Sequence, residues 1–151
     1  MIDENKKYKK EDKHPMGSCL CGSVKFKLNG KLRNVINCHC GQCMRTHGHY
    51  AAYTAIEKKD LEFLNDDGLK WYHSSSKARR GFCKICGASI FFDRFGRETI
   101  SIAAGMLSFP EILRTSEHIF FDEKRDYYEI YDKLPKFSQY YLERLEENFI
   151  N

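Results

Sequence analysis

Val24-Lys25-Phe26-Lys27-Leu28, followed at once by Asn29-Gly30, alternates apolar and charged residues with a period of two. That is the pattern of a strand with one buried face and one face in water. Asn-Gly after such a run predicts a tight hairpin, with residues 32–36 as the returning strand. Further apolar-rich or alternating runs lie at 50–56, 61–64, 69–73, 88–93, 99–103 and 118–121. Turn formers such as Asn65-Asp66-Asp67-Gly68 and Phe95-Gly96 separate them. Many short strands at this spacing predict a mainly β domain rather than an α/β one.

Outside these runs, one helix is expected. Ser138 is a suitable N-cap, Tyr141, Leu142, Leu145 and Phe149 recur at helical spacing, and Glu143, Arg144, Glu146 and Glu147 fall on the other face. At the other end, Lys6, Lys7, Lys9, Lys10 and Lys13 mix with Asp3, Glu4, Glu11 and Asp12, so no apolar face can form. The expected organisation is a charged tail over 1–15, a domain over 16–137 and a helix over 138–151.

The chain has 151 residues, 42% of them apolar, with 11 Phe, 9 Tyr and 1 Trp, enough for the core of one domain. Its mean hydropathy is −0.60, and no apolar run approaches the roughly 20 residues of a membrane helix. Met1-Ile2-Asp3-Glu4-Asn5-Lys6-Lys7 lacks the apolar segment of a signal peptide, so the cytoplasm is the expected compartment. The formal charge of +4 is mild, and no ladder of aromatic and basic residues accompanies it. Nucleic acid is therefore not the expected partner.

Seven cysteines, an odd number in a chain read as cytoplasmic, argue against a disulfide framework and for metal or thiol chemistry. They fall in three groups: Cys19-Leu20-Cys21, Cys38-His39-Cys40-Gly41-Gln42-Cys43, and Cys83-Lys84-Ile85-Cys86-Gly87. Cys-x-x-Cys-Gly is a zinc-knuckle turn, and Cys-x-Cys on an extended segment puts both side chains on one face. Zinc is the expected metal for thiolate-rich sites of this kind. Cys38, Cys40 and Cys43 are close enough in sequence to hold one ion, leaving Cys19, Cys21, Cys83 and Cys86 for a second. Spacing alone also permits Cys19, Cys21, Cys38 and Cys40 to form one site. A division of four and three corresponds to a closed structural site and a site with one open position.

These segments resemble the glutathione-dependent formaldehyde-activating enzyme family, whose domain is shared by centromere protein V. The resemblance is carried by Gly17-Ser18-Cys19-Leu20-Cys21-Gly22, Cys38-His39-Cys40-Gly41-Gln42-Cys43-Met44-Arg45, Tyr72-His73-Ser74-Ser75 through Arg80, and Phe82-Cys83-Lys84-Ile85-Cys86-Gly87-Ala88. Gly105-Met106-Leu107, His118-Ile119 and Asp132-Lys133-Leu134-Pro135-Lys136-Phe137 complete it. Two departures are Ser108, where the family usually has Asp, and Tyr127 or Tyr128, where Trp is common.

The resemblance implies a β-tent fold of small antiparallel sheets and two zinc ions per chain. Cys19, Cys21, Cys83 and Cys86 would hold the structural ion, and Cys38, Cys40 and Cys43 the catalytic one. It further implies a carbon–sulfur lyase or S-hydroxymethylglutathione synthase, joining the thiol of glutathione to an aldehyde such as formaldehyde. A thiol entering the open corner would lose its proton to become the nucleophile.

His39, His47 and His49 are candidate proton donors to the new hydroxyl, His39 above all. His39 or His47 could instead close the site as a fourth ligand. The carboxylates of glutathione call for cations, and Arg45, Arg79, Arg80 and Lys84 flank the cysteine segments. Tyr50, Tyr53, Trp71 and Tyr72 are candidate groove residues. The competing reading is a non-catalytic zinc-stabilised module that binds protein or nucleic acid.

Overall fold

The computed structural model describes residues 15–108 and 113–139. The expected tail, up to residue 14, and the expected C-terminal helix, from residue 140 on, lie outside the described residues.

Among the described residues the fold is mainly β, in two sheets. A small antiparallel sheet has the order β1 (Met16–Ser18), β2 (Lys25–Leu28), β5 (Leu61–Asn65). The larger sheet uses β3 (Val35–Cys38), β4 (Ala51–Glu57), β6 (Leu69–Ser75), β7 (Ala78–Cys83), β8 (Ser89–Arg94), β9 (Thr99–Ala103) and β10 (Thr115–Ile119). Its order is β10-β3-β4-β9-β8-β7-β6, antiparallel except for the β10–β3 pair. One short helix, α1 (Gly41–His47), follows β3. Among the described residues no helix is long and apolar enough to cross a membrane.

The core lies where the period-two pattern puts it. Val24, Phe26 and Leu28 turn one face of the small sheet onto Ile90, Phe91, Ile100 and Ile102 of the large one, and all but Ile100 are fully buried. Phe26 and Phe91 meet at 5.2 Å between ring centroids, and Trp71 stacks on Phe91 at 5.9 Å. Each such side chain contributes about 1.5–3 kcal/mol of burial free energy.

Two expectations needed correction. Asn29-Gly30 does not close a hairpin, because β2 takes β1 and β5 as its neighbours. Instead the Asn29 N–H donates to the Asp60 carbonyl at 2.8 Å and the Asn29 amide to Glu62 Oε2 at 3.0 Å. Those contacts carry the chain across to the large sheet, where β3 begins at Val35. The second is α1, which has only seven residues, too few for a helical period to show in the sequence. Gly48 ends it in the left-handed conformation at φ 75°, its N–H donating to the Met44 carbonyl at 2.8 Å.

Candidate metal centres and the cavity beside them

The first cluster joins the two sheets. Cys19 and Cys21 lie in the turn between β1 and β2, Cys83 ends β7, and Cys86 lies in the turn to β8. Their four sulfurs fall within 4.8 Å of one another. Cys19 Sγ is 3.6 Å from Cys21 Sγ, which is 3.7 Å from Cys83 Sγ. A tetrahedral zinc with bonds of ~2.3 Å separates its sulfurs by about 3.8 Å, so this donor set fits the ion.

Backbone geometry supports the same arrangement. Gly22 and Gly87, each directly after the last cysteine of its turn, have φ of 77° and 76°, which glycine adopts without strain. N–H groups of Val24 and Cys86 point at Cys19 Sγ (3.3 Å) and Cys83 Sγ (3.4 Å). The Ser23 hydroxyl is 3.0 Å from Cys21 Sγ and 3.2 Å from Cys83 Sγ. Burial works to raise the Cys83 thiol, but the Cys86 N–H and the Ser23 hydroxyl outweigh it and bring the thiol down to about 6.

The second cluster is local. Cys38 ends β3, Cys40 is the residue before α1, and Cys43 sits in its first turn, with their sulfurs within 4.8 Å of one another. Hydrogen bonding from Cys38 and Cys43 depresses the Cys40 thiol to about 2, while Cys40, Cys43 and burial push the Cys38 thiol far up. Three thiols packed this closely therefore suppress one another's ionisation. A cation is needed to hold all three as thiolates, which is what a three-thiolate metal site supplies.

Beside this cluster opens a cavity of about 240 Å³. It is built by strand alternation on the side of the large sheet away from Phe91: Ile36 and Cys38, Tyr53 and Ala55, Thr99 and Ser101, and Phe92 and Arg94 are all i, i+2 pairs that line it. Arg33, Arg80 and Arg97 also line it, and among its described lining residues there is no Asp or Glu. Arg80 Nη2 is 3.3 Å from Gln42 Oε1 and 3.7 Å from Cys43 Sγ. Burial pushes the Tyr53 phenol up to about 12, so it is a neutral wall of the cavity. Phe120, also lining it, is a non-glycine residue held in the left-handed region at φ 53°.

His39 lies behind the cluster and does not line the cavity. Its Nδ1 is 2.6 Å from Tyr128 Oη and its Nε2 is 2.8 Å from His118 Nδ1, while His118 Nε2 is 2.9 Å from Asp132 Oδ2. The carboxylate at one end sets the direction of the chain. His118 Nε2 donates to Asp132, His39 Nε2 donates to His118, and the Tyr128 hydroxyl donates to His39. Burial, then the neighbouring His118, lowers the His39 ring to about 4, so it is neutral at ordinary pH. No histidine nitrogen joins the three sulfurs among the described residues, and His47 Nδ1 lies against the Cys43 carbonyl at 3.2 Å.

The remaining candidates separate in space. Arg45 is on the exposed side of α1, and Lys84 is exposed in the turn of the four-cysteine cluster; neither lines the cavity. Arg79 pairs with Asp93 at 2.8 Å and covers Trp71 at 4.1 Å. His49 and Tyr50 pack around Tyr128 and His39, and Tyr72 is exposed on the edge strand. Arg33, Arg94 and Arg97 went unnoticed in the sequence. Arg94 had a readable signal, being two residues beyond Phe92 on one strand, whereas the other two reach the cavity from connecting segments.

The family model of the glutathione-dependent formaldehyde-activating enzymes matches residues 14–123. An uncharacterized lyase of Schizosaccharomyces pombe is 27% identical over 124 residues, covering 81% of this chain and 89% of the yeast protein. A crystal structure of a Rhodobacter sphaeroides protein superposes with a TM-score of 0.52 at 25% identity, covering 62% of this chain and 87% of that one. With both cysteine clusters inside the matched segment, the chain belongs to the glutathione-dependent formaldehyde-activating enzyme family.

Proposed function

We propose that the chain is a zinc-dependent carbon–sulfur lyase of the cytoplasm that makes and breaks the bond between the glutathione sulfur and an aldehyde carbon. The supporting observation is the cavity itself. A three-sulfur cluster forms part of its wall, and four arginines form much of the rest, with no carboxylate among the described lining residues. Zinc held by Cys38, Cys40 and Cys43 would supply the Lewis acidity that makes an incoming thiol a thiolate at neutral pH. A second zinc, on Cys19, Cys21, Cys83 and Cys86, has a structural role.

The protein's own groups do the rest. Arginines of the cavity bind the carboxylates of glutathione and orient its thiol towards the cluster. Phe92, Ile36 and Ile119 exclude water, which favours the hemithioacetal over the competing aldehyde hydrate. His39 holds the ligand loop in place through Tyr128 and His118 instead of meeting the substrate. In the forward direction the carbon–sulfur bond forms, the carbonyl π pair moves to oxygen, and the proton given up by the thiol ends on the new hydroxyl.

The test uses chain carrying cobalt in the three-cysteine site. Titration with glutathione is expected to change the thiolate-to-cobalt absorption, and the analogue with serine in place of cysteine is expected to leave it unchanged. A spectrum indifferent to glutathione overturns the reading.

A further inference from the structure

We infer that the aldehyde partner carries a carboxylate on its carbonyl carbon, making it a 2-oxo acid, and that Arg80 is the residue that selects it. The inference rests on the proposed thiol–aldehyde function and names the substrate class of that same cavity.

Arg80 is buried, only 5% exposed, and lines the cavity from the middle of β7, opposite Phe92 of β8. Its Nη2 is committed to Gln42 and to Cys43 Sγ. Its Nε and Nη1 are buried with no hydrogen-bond partner among the described residues. A Cys43 thiolate balances Nη2, but two buried N–H groups left without an acceptor are costly, and no acidic side chain lines this cavity among the described residues. The missing partner is therefore expected to be part of the ligand.

Position decides which part. Arg80 Nη2 approaches Cys43 Sγ to 3.7 Å, as near as sulfurs of the four-cysteine cluster approach each other. A thiol docked at the three-cysteine cluster puts its sulfur, and the carbon about to bond to it, beside this guanidinium. Glutathione's own carboxylates are separated from its sulfur by a peptide unit or more, so they match the half-buried Arg94 and Arg97 better. The carboxylate that stays close to the sulfur is one carried by the electrophilic carbon.

The step balances without further reagents. The carbon–sulfur bond forms, the carbonyl π bond opens onto oxygen, the thiol's proton ends on that oxygen, and the carboxylate keeps its single negative charge. Formaldehyde undergoes the same step but leaves Arg80 Nε and Nη1 unpaired. A site built around a polar group discriminates strongly against an analogue that lacks the partner.

The experiment compares two stable conjugates of the same shape, S-(carboxymethyl)glutathione and neutral S-(carbamoylmethyl)glutathione, by calorimetric binding to the zinc-loaded chain. The wild-type chain is expected to favour the carboxymethyl form by about tenfold or more, the range of one charged hydrogen bond. Arg80→Gln is expected to erase that preference, and Arg80→Lys, which keeps the charge without the planar fork, to retain part of it. Circular dichroism and zinc content establish that each variant is folded, and the wild-type comparison decides the question without either. Equal binding of both conjugates overturns the role of Arg80 and leaves the thiol–aldehyde reading standing. Binding of neither overturns both.

Discussion

Gly68 and Gly87 flank the same four sulfurs and are required there for different reasons. Gly68 precedes β6, and a Cβ built on it would lie 2.2 Å from Ser23 Oγ and 3.1 Å from Cys83 Sγ. Gly87 has open space around its missing side chain but a φ of +76°. Gly87→Ala should therefore cost only the conformational penalty, about 1–2 kcal/mol, with the metal content unchanged. Gly68→Ala must displace the serine that hydrogen-bonds two of the sulfurs. We expect it to lose one metal per chain and destabilise by more than the roughly 1–3 kcal/mol of ordinary overpacking. Metal analysis beside thermal unfolding separates them, and equal metal content in the two variants would show that Gly68 does not guard the cluster.

At the scale of elements, the alternating strands were readable and the segments that break alternation were not. The run at 99–103 matches β9, and 69–73 lies within β6. By contrast β7, Ala78-Arg79-Arg80-Gly81-Phe82-Cys83, carries two arginines and a glycine and gives no strand signal. Its arginines have places that only the tertiary structure supplies. Arg79 reaches Asp93, Arg80 enters the cavity, and Gly81 leaves room for Phe91 and Trp71, each 3.0 Å from where a Cβ would stand. The cysteine clusters were legible because ligand chemistry fixes residue type and spacing together. Of the cavity's arginines only Arg80 was among the sequence candidates; Arg33, Arg94 and Arg97 were not, since a charge looks the same in a sequence whether it faces water or a ligand.

The Asp93 pairing also makes β7 and β8 sensitive to acid. Asp93 is buried, which works to raise its carboxyl, but hydrogen bonds from Lys58 and Arg79 prevail and hold it below the usual carboxylate range. A depressed folded-state pKa adds stability that is complete above the unfolded value of about 3.9 and is lost as pH falls through the folded one. Asp93→Asn should cost about 1–3 kcal/mol near neutrality, Lys58 and Arg79 both being partly exposed. The gap between wild type and variant should then close as pH falls from about 5 to about 2. Loss of metal in acid affects both proteins, so the difference between their denaturant unfolding curves at each pH is the quantity to follow. A gap that stays constant to the lowest pH would mean that the carboxylate charge contributes nothing.

In the whole molecule the two clusters play unequal mechanical parts. Cys19 and Cys21 belong to the turn of the small sheet, and Cys83 and Cys86 to the turn between β7 and β8 of the large sheet, so that cluster fastens one sheet to the other near the Phe26–Phe91 contact. Cys38, Cys40 and Cys43 lie within six residues on one side of the large sheet and cross-link nothing distant. A domain of this size has about 5–15 kcal/mol of total stability, which the loss of a structural metal can remove entirely. Cys86→Ser should therefore abolish cooperative unfolding and bind less than one metal at the four-cysteine site. Cys40→Ser should keep the β-sheet spectrum, a cooperative melt and one tightly held metal, and lose the optical response to glutathione. If Cys40→Ser unfolds as far as Cys86→Ser, the three-cysteine cluster is part of the scaffold, and the cavity beside it loses its claim to be a reaction site.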